Sequence, residues 1–408
     1  MPHVRQPDTV TLPRNTSCFN LPMLSERATG APAERGRFIA STPFVGRVLR
    51  DAVGRASPRQ GREAHLRAAV DWLKRAQATT PDDGVSYGYS IRGGWRPSYR
   101  ETSGYISTTF FDLAKQRHDS ESATLARTVS NWLCEVQEPD GSIANPQYQP
   151  HHGIVFDTGQ VLLGYVRAHR ETGDARFHDA AVRAASWLAS RMDPDGAWRR
   201  NTHLDTPHTY NTRVAWSMLE CHQIAPDPAI EAAARKNLDW ALEQESHGYF
   251  RSCAFTPGAA PFTHTIAYAI RGFLESARLL GDAAYEQAAV RAADAMLEHV
   301  RADGWIPGQV DEDGRPAARY CCLTGNCQLA IIWFKLYQST GAQEYLEAAK
   351  QSLRFVMEHQ DLTCSNPDLR GAIKGSHPIW GSYAPFSYPN WAAKFFIDAV
   401  LLWDEIEA

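Results

Sequence analysis

Six large apolar residues recur along the chain 53 to 60 residues apart: Trp72, Trp132, Trp187, Trp240, Met296 and Phe355. Each lies near the end of an amphipathic stretch such as AAVDWLKRAQ or AADAMLEHV. A regular step of several tens of residues marks a fold in which one supersecondary unit stacks on the next. Most of these stretches end in a turn: PDDG at Pro81, EPDG at Glu138, DPDG at Asp193, ESHG at Glu245 and ADG at Ala302. Asp and Gly suit a helix stop because it needs a residue that tolerates positive φ and a local hydrogen-bond acceptor. A loop rich in Tyr, Trp, Arg, His and Pro follows, and then a second helix.

The second helices open as ETSGYISTTFFDLA, FDTGQVLLGYVRAH, TYNTRVAWSMLECH, FTHTIAYAIRGFLE, LTGNCQLAIIWFKL and YPNWAAKFFIDAVL. They are apolar nearly all round, as buried helices are, whereas the first helices carry one apolar stripe and a charged face. Twelve alternating helices with short links on one side and long loops on the other close into a double ring. The expected fold is therefore all-α, an (α/α)6 toroid over residues 63–408, preceded by a partly irregular extension over 1–62. Period-two alternation, the sign of a sheet, is almost absent. Composition leaves open whether the extension is a loose arm or a clasp across the ring.

Bulk properties exclude several functions. A net charge of -4 offers no electrostatic footprint for nucleic acid. No apolar run reaches the roughly 18 residues of a membrane span. The first 61 residues contain no apolar core of a signal peptide, so a cytoplasmic location is expected. The eight cysteines are spread along the chain, a pattern of free thiols rather than a disulfide framework.

The stretch QEPDGS (Gln137 to Ser142), after a Trp-bearing helix, resembles the repeat of terpenoid cyclases and protein prenyltransferases. The ring and its length resemble unsaturated glucuronyl hydrolases, N-acylglucosamine 2-epimerases and the helical domains of polysaccharide lyases and glucuronyl C5-epimerases. The strings GIVFDTGQVLLGY, HTYNTRVAW, FTHTIAYAIRG, CLTGN and YPNWAAKFF are similar to a bacterial group associated with polysaccharide gene clusters. These resemblances imply a carbohydrate-active protein.

In such a ring the first turns of the inner helices face one mouth. The polar residues there are Glu101 and Tyr105; Asp157 and Gln160; His208, Tyr210, Asn211 and Arg213; His264 and Tyr268; Asn326 and Gln328; and Asn390, Trp391 and Lys394. Helix capping accounts for one small polar residue per helix, but not for His, Tyr, Gln, Arg and Lys in otherwise apolar helices. A shared polar ligand accounts for the set. The mouth loops add Trp95, Tyr99, Tyr148, Trp198, Tyr249, Trp305, Trp380 and Tyr383, with Arg92, Arg96, Arg100, Arg199, Arg200 and Lys374. Flat aromatics with planar cationic donors suit an acidic saccharide.

Three chemistries fit. The first is proton abstraction beside a carboxylate, as in a lyase or uronate epimerase. His208 or His264 would be base or acid, Tyr210 or Tyr268 the partner, and Asn211 with Arg213 would neutralise the carboxylate. The cluster HTYNTR resembles the His, Tyr, Asn and Arg set of helical polysaccharide lyases. This chemistry is the first expectation. Glycoside hydrolysis or vinyl-ether hydration by Glu101 and Asp157, placed roughly 10 Å apart by ordinary helix spacing, is the second. That separation suits an inverting pair. Carbocation chemistry ranks last, because no helix start carries an Asp-rich motif. A non-catalytic glycan-binding protein is the alternative outside enzymes. No cofactor and no metal are expected: Cys321, Cys322 and Cys327 do not have a standard zinc spacing, although paired Cys also resembles a zinc-dependent β-arabinofuranosidase family.

Overall fold

The computed structural model describes residues 42–53, 60–146 and 151–408. Most of the expected N-terminal extension, Cys18 and the loop aromatic Tyr148 lie outside them.

Helix α1 (Thr42–Ala52) precedes the ring. The outer layer is α2 (Arg62–Ala78), α4 (Ser120–Glu135), α6 (Ala175–Arg191), α8 (Pro228–Leu242), α10 (Ala283–Leu297) and α12 (Gln343–Glu358). The inner layer is α3 (Arg100–Gln116), α5 (Val155–Thr172), α7 (Thr212–Ile224), α9 (Thr263–Leu280), α11 (Leu323–Thr340) and α13 (Asn390–Glu407). Each inner helix packs on the next, and α13 packs on α3 and α2, so the circle closes. The architecture is the (α/α)6 toroid that the repeat predicts. All six spacing residues are buried between the layers.

Local chemistry sets the helix ends. At the starts of α4, α6, α8 and α10, the carboxylates of Asp119, Asp174, Asp227 and Asp282 accept from free backbone N–H groups. On the tight side of the ring, Gly173, Gly281 and Gly341 end α5, α9 and α11 in the left-handed conformation.

The turns on the mouth side join neighbouring repeats. Gly141, Gly196, Gly248, Gly304 and Gly371 all have positive φ. A Cβ at any of them would lie within 2.1–2.6 Å of a backbone carbonyl oxygen, belonging to Arg183, Lys236, Arg291, Gln351 and Ala68 respectively. Each of those carbonyls is on the next outer helix round the ring, and Gly371 reaches back to α2 at its beginning. The inner layer is equally tight: a Cβ on Gly104 would meet the Val161 backbone at 2.5 Å, and one on Gly272 the backbone at Thr212 at 2.4 Å.

Seven strands of two or three residues sit in the mouth loops. One three-stranded sheet joins the first and last repeats: β1 (Gly88–Ser90) lies between β2 (Gly94–Trp95) and β7 (Ser387–Pro389), both antiparallel. The hairpin β3 (Glu245–Ser246) with β4 (Tyr249–Phe250), and the pair β5 (Cys321–Cys322) with β6 (Ser376–His377), complete the rim. No helix among the described residues is long and apolar enough to cross a membrane.

Two glycine substitutions separate strain from collision. Gly173 has φ +70° with nothing within 4 Å of an added Cβ, so Gly173→Ala is expected to cost about 1 kcal/mol of stability. At Gly196, with φ +94° and Lys236 O at 2.1 Å, Gly196→Ala adds overpacking of about 1–3 kcal/mol. Denaturant titration of both variants checks the difference.

Candidate active site

The inner helices begin without the usual side-chain caps. Tyr99, Ile154, Asn211, Phe262 and Pro389 occupy the N-cap positions of α3, α5, α7, α9 and α13 and make no side-chain capping bond. At α11 the Cys322 thiol accepts from Gly325 N–H. The polar first-turn residues are therefore left for other work, and most of them meet at the ring axis.

Arg213, only 3% exposed, stands at the centre. Its Nε donates to Gln160 Oε1 at 2.6 Å. The guanidinium lies 4.9 Å from the Tyr268 ring centre and 5.6 Å from that of Tyr105. It makes no ion pair among the described residues, and burial lowers its pKa. Lys394, also buried, lies 5.3 Å from the Tyr105 ring but is neutralised by Asp398, one turn along α13. The Tyr268 and Tyr105 hydroxyls are 3.4 Å apart. Together these side chains and Phe395 fill the axis and form a floor.

Above the floor are two carboxyl groups on adjacent inner helices. Burial raises Glu101 to about pKa 7, opposed by the Tyr99 hydroxyl and the charge of Arg213. The Tyr99 Oη donates to Glu101 Oε2 at 2.7 Å. Burial pushes Asp157 well above the usual carboxylate range, the charge of Glu101 pushes it further, and a hydrogen bond from Asn145 opposes both. Asp157 Oδ2 is buried without a hydrogen-bond partner, as are Gln160 Nε2 and both polar side-chain atoms of Asn211. Unsatisfied buried polar atoms cost roughly 1–3 kcal/mol each, and these four lie near the starts of the adjacent inner helices α5 and α7. The charge of Glu101 thus favours the protonated form of its neighbour Asp157.

The opposite wall carries His264. Its Nδ1 donates to Gln328 Oε1 at 2.7 Å, which leaves Nε2 as the lone-pair nitrogen with no partner among the described residues. Burial first, and then Arg213, lower it to about pKa 3, so the ring is neutral. It packs 4.3 Å from Tyr268 and 5.2 Å from Tyr383. Trp391 lies beside Tyr87 and Tyr99, and its Nε1 donates to the Tyr383 hydroxyl.

Other first-turn residues are occupied elsewhere. His208 places Nδ1 3.1 Å from Ala254 O and Nε2 2.9 Å from His203 O. Burial lowers it to about pKa 4, so the neutral ring has one N–H, which Nδ1 donates to Ala254 O, while Thr206 Oγ1, 3.3 Å away, donates to Nε2; both nitrogens are engaged by loop residues, and the ring stacks on Tyr210 at 4.6 Å. Tyr210 touches Phe156, which in turn touches Tyr268. Asn326 donates to Gly304 O and accepts from the Cys321 thiol. Asn390 donates to Ser86 O and Thr102 Oγ1.

The mouth loops differ most from expectation. Trp198 is buried with Nε1 donating to Leu188 O, and Trp95 packs on Trp72 at 5.2 Å. Trp305 is covered by Arg301. Trp380, 43% exposed, is the one large exposed aromatic among the described residues. The loop cations are largely balanced: Arg199 and Arg200 pair with Asp193 and Asp195, Arg100 with Glu138, and Lys374 with Asp51. Arg92 and Arg96 are exposed, Arg92 lying against the Phe386 ring. The local positive charge of the site thus rests on Arg213 at its floor. Phe156, Phe395, Asn145 and Tyr87 also belong to the site, and nothing in the sequence distinguishes them from core or loop residues. Asp398 is different, since a lone charge one turn from Lys394 in an apolar helix is a readable pair. Among the described residues no three His, Cys, Asp or Glu side chains are arranged to hold a metal ion.

The carboxyl coupling has a sign that can be measured. Glu101→Gln removes the charge that raises Asp157, so the Asp157 titration followed by carboxyl carbon NMR should move to lower pH. Burial holds Glu101 above its ordinary value of 4.5, so its contribution to stability is full below that pH and is lost as pH rises through about 7. Denaturation at about pH 5 and about pH 8 should show a smaller difference for Glu101→Gln than for the natural protein.

No family profile matches this sequence, and no curated protein does either. Solved structures do match by shape. An unsaturated glucuronyl hydrolase specific for heparin aligns at TM-score 0.67 and 16% identity, over 84% of this chain and 96% of its own. A cellobiose 2-epimerase from Bacillus thermoamylovorans aligns at 0.61 and 10% identity, over 88% and 99%. An α-1,6-mannanase of Salegentibacter, an inactive variant in complex with α-1,6-mannotriose, aligns at 0.58 and 11% identity, over 83% and 99%. At these identities the likeness defines the fold, and the chain has the (α/α)6-toroid architecture of those carbohydrate-active proteins.

Proposed function

We propose that the protein is a carbohydrate-active enzyme that cleaves an acidic saccharide by acid–base catalysis, with Asp157 and Glu101 as the carboxyl pair. The observation that carries this reading is a pair of carboxyls on adjacent inner helices, both raised by burial and Asp157 further by the charge of Glu101, with one Asp157 oxygen buried and unbonded. Asp157, held well above the usual carboxylate range by burial and the charge of Glu101, donates its proton to the departing glycosidic oxygen. Glu101, ionised above about pH 7 and steadied by Tyr99, takes a proton from water as that water attacks the anomeric carbon. Helix axes in contact are about 8–10 Å apart, and an inverting pair needs carboxyls about 6.5–9.5 Å apart. The buried guanidinium of Arg213, with no ion pair among the described residues, supports an anionic group on the sugar. Trp380 supplies a stacking face at the rim. The functions named for the three structural neighbours, two hydrolases and an epimerase, agree with this class.

Proton abstraction beside a carboxylate is the second reading, and His264 is what favours it. Its neutral ring, with Nδ1–H held by Gln328, presents Nε2 as a base beside Tyr268. That arrangement suits a lyase or uronate epimerase, with Arg213 stabilising the carbanion. His208 has no part in it.

Incubation of the full chain with uronate-containing oligosaccharides separates the readings. New reducing ends without new ultraviolet absorbance are expected, and Asp157→Asn should lower their rate about 10²–10⁴-fold. An absorbing double bond, or deuterium uptake without cleavage, would move the chemistry to His264. Binding without turnover would make the protein a glycan-binding module.

A further inference from the structure

Helix α1 stands outside the double ring, and its last turn is fastened to it at two points. Arg50 Nη1 donates to Asp361 Oδ2 at 2.6 Å, and Asp361 Oδ1 in turn accepts from Thr363 and Cys364 N–H at the turn after α12. Asp51 makes the second attachment. Both its oxygens accept from Lys374 Nζ at 2.6 Å, and Oδ2 also accepts from Ile379 N–H at 2.8 Å. Lys374 is 5% exposed. Its Nζ is also 2.9 Å from His377 Nδ1. Burial, the Lys374 charge and His359 hold His377 down to about pKa 2, so a neutral imidazole nitrogen accepts from the ammonium.

The residues that Asp51 grips begin the segment 374–389, which runs up the inside of the mouth. Gly375 O accepts from Leu323 N–H at the start of α11, and β6 pairs with β5. Ser376 Oγ donates to Tyr383 O, and Phe386 N–H donates to Ile379 O, folding the segment back on itself. At its tip the Tyr383 ring lies 5.2 Å from both His264 and Phe262, and its hydroxyl accepts from Trp391 Nε1 at 2.7 Å. Trp380 rides on the same segment.

We infer that Asp51 is a positioning residue, through which helix α1 clasps the 374–389 segment so that Tyr383 holds His264 in the basin wall and Trp380 stays at the rim. The physical reason is the number of bonds that end on one carboxylate: Asp51 accepts two from the Lys374 ammonium and one from Ile379 N–H. Without that carboxylate the three bonds between α1 and residues 374–379 are lost, and the polar groups that made them turn to other partners. Residues 374–379 then loosen. The loosened tip then uncovers His264, whose Nε2 has no partner among the described residues to hold it back. The proposed saccharide chemistry gives this position its meaning, but the position itself is measurable without any substrate.

Hydrogen–deuterium exchange and carbethoxylation of His264 by diethyl pyrocarbonate, both mapped by peptide mass spectrometry on the full chain, test the inference. Asp51→Asn should speed exchange in 374–389 and 321–326 by about tenfold or more and His264 acylation several-fold, with α3 and α5 unchanged. The double variant Asp51→Asn with Lys374→Met lacks both the tether and the buried charge. It should remain loosened, and it provides the reading if Asp51→Asn alone unfolds. Natural exchange and acylation rates in the double variant would overturn the inference. So would loosening confined to α1 and 374–379 with His264 acylated at its natural rate. A negative saccharide assay leaves these rates untouched, so the two proposals fail separately.

Discussion

The ring depends on backbone-to-backbone contact where the chain leaves one outer helix and is pressed against the next. At five such turns only hydrogen fits on the Cα side facing the neighbouring carbonyl. The contact leaves little room for the angle between adjacent hairpins to vary, and a fixed angle repeated round the circle is what lets the last turn meet α2. The close approaches of Gly104 and Gly272 do the same for the inner layer. With both layers fixed, the inner-helix starts converge at one level of the axis, and the side chains in their first turns have little choice of neighbour.

That convergence has an electrostatic consequence. Crowding Glu101, Asp157, Arg213, His264 and Lys394 around one axis buries the last four and half-buries Glu101, and burial is the leading cause of every shift found there. Lys394 is compensated by Asp398. Arg213 and the carboxyl pair are not compensated to the same degree, and this is where fold stability is given up. Local conflicts between burial and charge in an otherwise consistent structure are the expected signature of a functional centre.

The fold was legible because it repeats. Trp72, Trp132, Trp187, Trp240, Met296 and Phe355 each report the same buried position, and six weak signals in register make one strong one. Much of the basin was legible too, since Glu101, Tyr105, Asp157, Gln160, Arg213, His264, Tyr268, Gln328, Trp391 and Lys394 all sit in the first two turns of inner helices, whose destination the ring dictates. Where the role of a residue depended on a loop, the sequence was silent. His208 and Tyr210 precede α7 by a few residues, enough for loop carbonyls to capture the imidazole. The loop arginines looked like a cationic mouth because their Asp and Glu partners are recognisable only once the turns are folded. Asn145, Tyr87 and the Asp51–Lys374 pair owe their places to contacts between distant parts of the chain, which no local pattern encodes.

One feature of the closure reaches beyond the site. Arg62, at the start of α2, bonds to Glu407 near the end of α13 at 2.8 Å, and Gly371 rests on Ala68. The seam where the ring meets itself therefore repeats the glycine-on-carbonyl contact of the other joints and adds to it the three-stranded sheet and the grip of α1. The joint that no chain connection of one hairpin to the next provides is thus the most heavily bonded at the rim, and the circle behaves as a closed spring whose two ends are latched together.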